Sequence, residues 1–136
     1  MLVEKAREYY LDHNANCAEA VAKAANDCYH LGLDEKALKL MSGYGKGFGV
    51  GSTCGALAGA MSIVSLLFVE DKAHTTPGFD DACAGFMKAY EEKLKSTNCS
   101  ELKGMYRSDE TRCLKTVELS AEVLEAYLLE NGKVTA

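Results

Sequence analysis

The chain has 136 residues, a net charge of −5, six cysteines, one proline and no tryptophan. That length fits one domain, residues 1–136, with a real core. The negative charge argues against nucleic acid as a partner, because phosphate binding needs a basic patch. Abundant Ala, Leu, Glu and Lys favour helix.

The pattern predicts a first helix over Leu2–His13, with Val3, Ala6, Tyr10 and Leu11 on its apolar side. Asn14-Ala15-Asn16 reads as a turn. Asn16 then caps a second helix that starts at Cys17 and runs to Leu31. Glu19 completes a capping box, and Gly32 stops the helix. Asp34 caps a short helix over Glu35–Met41, and a glycine-rich loop from Gly43 to Gly51 follows. The next helix is expected from Ser52-Thr53-Cys54 to Val69. Gly47, Gly51, Gly55 and Gly59 recur every four residues, and the last three share a helix face that admits a close backbone. Residues Gly47 to Val69 carry no charge, but the apolar part is too short to cross a bilayer, so a buried helix is expected and no membrane span.

A fifth helix is expected over Phe79–Lys95. Thr97-Asn98 offers a cap for a short turn at Cys99–Lys103, ended by Gly104. Ser108 is expected to cap the last helix, with Asp109 and Glu110 in its first turn and Leu114, Val117, Ala121, Leu124 and Leu128 as its apolar stripe. No strand pattern or internal repeat appears. The fold expected is all-α, a single-domain bundle of about five helices with the glycine-rich loop before the central apolar helix.

The cysteines are the chemically informative residues. Cys17, Cys54, Cys99 and Cys113 fall at or near helix starts, where unpaired N–H groups and the positive dipole end favour a thiolate. Thiolates are redox nucleophiles and soft-metal ligands. Cys54, after the flexible glycine run, is the leading nucleophile, with Cys17 as the simplest resolving partner. Cys28 and Cys83 lie inside helices and read as packing residues. No CxxC pair exists, so a redox or metal site must be gathered from distant segments. His13, His30 and His74 have no partner pattern. Gly45-Lys46 resembles the end of a phosphate-binding loop, but Leu40 and Gly47 replace its required Gly and Ser/Thr. The first residues run straight into an amphipathic pattern, so a cytoplasmic location is expected, where structural disulfides are rare.

Three stretches, Asn16-Cys17-Ala18-Glu19-Ala20-Val21, Gly51-Ser52-Thr53-Cys54-Gly55-Ala56-Leu57-Ala58-Gly59 and Cys99-Ser100-Glu101-Leu102, followed by Cys113, resemble the redox-active family labelled C_GCAxxG_C_C. The label writes Gly before Cys, whereas this chain reads Cys54-Gly55-Ala56. The resemblance assigns the family's four cysteines to Cys17, Cys54, Cys99 and Cys113. It implies redox function beside oxidoreductase or electron-transfer partners in anaerobes, and a looser likeness to the iron–sulfur portion of split-Soret cytochromes implies a cluster. Three readings stand. The four thiolates ligate an iron–sulfur cluster or zinc for electron transfer; or Cys54 and Cys17 form a metal-free dithiol; or the glycine face makes a scaffold or homodimer and the thiols are merely buried.

Overall fold

The computed structural model describes residues 1–135. Seven α-helices appear: α1 (Leu2–Asp12), α2 (Cys17–Tyr29), α3 (Glu35–Lys39), α4 (Gly55–Phe68), α5 (Phe79–Leu94), α6 (Cys99–Tyr106) and α7 (Leu114–Glu130). No strand forms among the described residues; two isolated bridges pair Thr53 with Asn98 and Ser108 with Arg112. The all-α expectation holds. The count of about five does not, because the short segments after Asp34 and Asn98 each close into a helix, α3 and α6.

The bundle is built around α4, which is apolar on most sides. Its Ala56, Leu57, Ala60, Ile63 and Val64 are buried against α2, α5 and α7. Tyr90 and Phe86 of α5 and Val117, Leu124 and Leu128 of α7 fill the rest of the core. Helix α2 is alanine-rich where it meets α4, and the two approach so closely that a Cβ at Gly59 would lie 2.6 Å from the Ala18 carbonyl oxygen. Helix α1 covers α2 and α7, and an Arg7–Glu118 ion pair ties it to α7. Among the described residues, no helix is long and apolar enough to cross a membrane.

Several local expectations are corrected. On α1 it is Leu2, Ala6 and Tyr10 that are buried, while Leu11 is exposed. Helix α2 ends at Tyr29 because His30, before Gly32, already takes the left-handed conformation, at φ 53°. Helix α3 stops at Lys39. Helix α4 starts at Gly55, with Cys54 as its N-cap residue. Gly47 and Gly51 are not on the α4 face: they sit in a tight coil, 47–51, with φ of 62° and 70°. Only Gly55 and Gly59 remain as a small-residue contact. Ser108 does not cap α7, for it exchanges backbone hydrogen bonds with Arg112 (3.0 and 2.8 Å) in a turn. Arg112, at φ 55°, breaks helical continuity there, so α7 begins after Cys113, and Asp109 and Glu110 lie outside it.

Candidate functional site

Four helix N-termini meet at one end of the bundle, and each brings a cysteine. Cys17 and Cys99 are the first residues of α2 and α6, and Cys54 and Cys113 are the N-cap residues of α4 and α7. Local hydrogen bonding explains each position. The Asn16 side chain accepts from the Glu19 N–H at 2.9 Å, and the Glu19 carboxylate accepts from the Asn16 N–H at 3.0 Å, the expected capping box. Asn16 Nδ2 also donates to the Ser42 carbonyl at 3.0 Å, which holds the glycine-rich segment against α2. Asn98 caps α6 through the Glu101 N–H at 2.9 Å.

The segments before α4 and α6 run antiparallel for one bridge. The Cys54 N–H donates to the Thr97 carbonyl at 2.8 Å, and the Cys99 N–H donates to the Ser52 carbonyl at 2.6 Å. This pairing sets Cys54 against Thr97 and Cys99 against Ser52, which leaves the two cysteines diagonal to each other across the bridge. The coil 47–51 wraps Cys99: a Cβ on Gly47 would lie 2.6 Å from the Cys99 Cβ, and the Ser100 hydroxyl donates to the Gly51 carbonyl at 2.9 Å. The close approach, together with φ 62°, is why position 47 requires glycine. Cys17 reaches the same place from α2. A Cβ on Gly55 would fall 2.7 Å from Cys17 Sγ, so this sulfur rests on the first turn of α4. Cys113 is held from α1: its N–H donates to the Tyr10 hydroxyl at 3.1 Å. The Arg112 guanidinium lies 4.6 Å from the Tyr10 ring centroid.

Cys17, Cys99 and Cys113 line a pocket of about 300 Å³. Cys54 is not in its wall; it lies 3% exposed, while Cys99 is 8% exposed. Cys28 lies far along α2, beside the Met1 carbonyl, and Cys83 lies on α5; neither joins the four. The histidines also stay away from the pocket.

Beneath the pocket a polar chain enters the core. Cys54 Sγ is 3.3 Å from the Tyr90 hydroxyl, which is 2.7 Å from Ser120 Oγ. The Ser120 hydroxyl donates to the Thr116 carbonyl at 2.7 Å, which uses its only proton. The Tyr90 hydroxyl must therefore donate to Ser120, and the Cys54 S–H donates to Tyr90. Tyr90 and Ser120 are fully buried polar groups whose needs are met only through this chain. No motif marks either residue; the available signal is a polar atom on each of two apolar stripes.

Electrostatics at the site oppose the expected easy ionisation. Burial pushes the Cys17 thiol up to about 12, with Cys54 and Cys113 adding to the rise and the Lys46 and Ala18 amides opposing it. Burial also raises the Cys99 thiol, against the pull of the Lys103 ammonium. The pocket's charged lining is Lys46, Lys103, Arg107 and Arg112, with Glu19 as its lone carboxylate. The cations face a thiol site in a protein that is acidic overall.

The four cysteines have the right donor chemistry for a soft metal, but as placed they do not make a cage. Among the described residues, no three His, Cys, Asp or Glu side chains form a group that could hold a metal ion. All six cysteines are free thiols.

A family model described as "Putative redox-active protein (C_GCAxxG_C_C)" matches residues 15–127. The chain belongs to this family. The matched span contains all four cysteines, the three of this C_GCAxxG_C_C protein that line the pocket and Cys54 behind them. No curated protein and no solved structure matches it.

Proposed function

We propose that this C_GCAxxG_C_C protein is a thiol–disulfide redox protein whose centre is the pocket lined by Cys17, Cys99 and Cys113. The observation supporting this is that three thiols from three distant helix starts, Cys17, Cys99 and Cys113, line one opening with Cys54 buried behind it, while Cys28 and Cys83 do not. Cys113 is the attacking thiol. It lines the pocket, is only half-buried, and sits at the α7 N-terminus beside Arg112. This differs from the role expected of Cys54, which burial and its Tyr90 bond place behind the pocket.

The exchange balances as follows. Cys113 thiolate attacks one sulfur of a substrate disulfide; the S–S bond breaks and one thiolate leaves with the electron pair. Cys17, the resolving thiol, then attacks Cys113 Sγ and releases the second substrate thiol. Two protein thiols are oxidised to one disulfide, the substrate disulfide is reduced to two thiols, and the two cysteine protons end on them. Once Cys113 is in the mixed disulfide, its negative charge no longer opposes ionisation of Cys17.

A second reading is supported by the number of thiols. Four thiols at four positive helix ends are twice what one disulfide needs, and an iron–sulfur or zinc centre would use Cys17, Cys54, Cys99 and Cys113. The deciding experiment is purification without oxygen, elemental analysis, and peptide mapping across a thiol redox titration. A reversible disulfide within the four, with Cys28 and Cys83 free, is expected. No such disulfide at any potential, with stoichiometric iron or zinc, would transfer the assignment to the metal centre.

A further inference from the structure

We propose that the pocket binds a small disulfide bearing carboxylates, and that Lys46, Lys103, Arg107 and Arg112 hold those carboxylates while Cys113 attacks the S–S bond. This deepens the proposed thiol–disulfide function and rests on it. It names the substrate class: a low-molecular-weight anionic disulfide rather than a neutral or cationic one, or a protein.

Three observations support the assignment. The first is charge: four cations and one carboxylate line the opening, although the whole chain is at −5. Glu19 is itself occupied, accepting from the Asn16 N–H and the Ser42 hydroxyl. Of the four cations, only Arg107 has a carboxylate partner among the described residues, Asp109 at 3.8 Å. Lys46, Lys103 and Arg112 are exposed and free to meet an anion. The second is construction. Lys46 reaches the pocket from a left-handed position at φ 57°, Lys103 and Arg107 come from α6 and the residue after it, and Arg112 comes from another left-handed position at φ 55°. Arg112 is fixed, since its guanidinium covers the Tyr10 ring and donates to the Tyr10 carbonyl at 3.4 Å. The third is size. A volume of about 300 Å³ is at the lower limit of small-molecule sites. Cys99 and Cys17 are recessed in it, which suits a slender ligand that enters and not a flat protein face.

The step consumes the ligand as written above: one disulfide is reduced to two carboxylate-bearing thiols, and Cys113 and Cys17 are oxidised. The cations do no redox work. They raise the local concentration of the anion and place its central S–S bond near Cys113.

The test uses three disulfides with the same two-methylene spacers and different terminal charge: 3,3′-dithiodipropionate (anionic), bis(2-hydroxyethyl) disulfide (neutral) and cystamine (cationic). Each reacts with reduced full-length protein, modification at Cys113 is read by mass spectrometry, and each rate is divided by that for the urea-unfolded chain. The anionic probe should be favoured about 10-fold or more over cystamine at low salt, with the preference shrinking as salt screens the rim. The Lys103→Gln/Arg107→Gln variant, altered at two exposed positions, should cut the preference severalfold. Suberate, the redox-inert carbon analogue of dithiodipropionate, should compete and shift NMR signals of Lys46, Lys103 and Arg112.

Equal normalised rates for all three probes would overturn the anionic assignment and leave the thiol chemistry standing. Suberate binding with no disulfide exchange would sustain the anion site and overturn the redox step. Competition by polyglutamate but not by suberate would overturn the small ligand in favour of an acidic macromolecule.

Discussion

Replacing Gly59 by alanine sets two opposing effects against each other, and the structure decides which wins. Alanine gains about 1 kcal/mol over glycine in a helix interior. At Gly59 the new methyl would meet the Ala18 backbone, at 2.6 Å from its oxygen and 3.0 Å from its Cα. These are backbone atoms of a packed helix and cannot rotate away. Overpacking of this kind costs about 1–3 kcal/mol, and separating α2 from α4 also disturbs the seating of Cys17 on α4. Gly59→Ala should therefore be destabilising, by up to about 2 kcal/mol net. Gly104 supplies the control: it lies within α6, is exposed, and has nothing within 4 Å of a Cβ. Gly104→Ala should be stabilising by up to about 1 kcal/mol. Urea denaturation of both variants under reducing conditions reads the difference. A Gly59→Ala protein stabilised as much as Gly104→Ala would refute the close α2–α4 contact.

Tyr90→Phe removes the middle of the buried chain and should cost about 1–2 kcal/mol, with a double-mutant cycle against Ser120→Ala showing coupling; strict additivity would mean the hydroxyls do not interact. Asn16→Ala removes the α2 cap and the tie to Ser42 and should cost about 1–2 kcal/mol in the same assay. Among Cys17, Cys54, Cys99 and Cys113, timed alkylation of the native protein should modify Cys113 first and Cys54 last; Cys54 modified fastest would reverse the assigned roles. The Cys17 thiol ordinarily ionises near 9 and is held up to about 12 when folded. The native state thus binds more protons than the unfolded chain between those values. Stability from this group is complete below about 9 and is lost as pH rises toward about 12. Cys17→Ala should flatten that alkaline decline, and an unchanged slope would remove Cys17 from its cause.

The positions of the four thiols were legible because each rests on local punctuation. Asn16 and Asn98 are short polar caps, and a glycine run precedes Cys54. Cys113 was legible only approximately. Ser108 looks like a cap, yet the left-handed Arg112, stabilised by its contacts with Tyr10 from the other end of the chain, moves the helix start to Cys113. The four-residue glycine spacing also misled, because Gly47 and Gly51 serve positive φ rather than helix packing. The cationic rim was invisible for a different reason. Lys46, Lys103, Arg107 and Arg112 look like ordinary solvated charges along the chain, and only the meeting of α6, the glycine-rich coil and the turn before α7 puts them around one opening.

That meeting also explains why helix N-termini do not make this a nest of free thiolates. A helix dipole contributes about 0.3–1 kcal/mol near a surface and up to about 2 in partly buried geometry. Taking a charge out of water can move a pKa by roughly 3–5 units, each worth 1.36 kcal/mol. For Cys17 and Cys99 burial prevails, and each neighbouring thiolate would make the next ionisation harder. In the reduced state these thiols hold their protons, and the Cys54 proton is already committed to Tyr90. Oxidation to a disulfide removes protons and electrons together and leaves no buried charge. A site with this balance disfavours the isolated thiolate and favours the neutral dithiol and the neutral disulfide. In the proposed exchange the half-buried Cys113, on the wall of the cation-lined pocket, is the sulfur that meets the substrate disulfide.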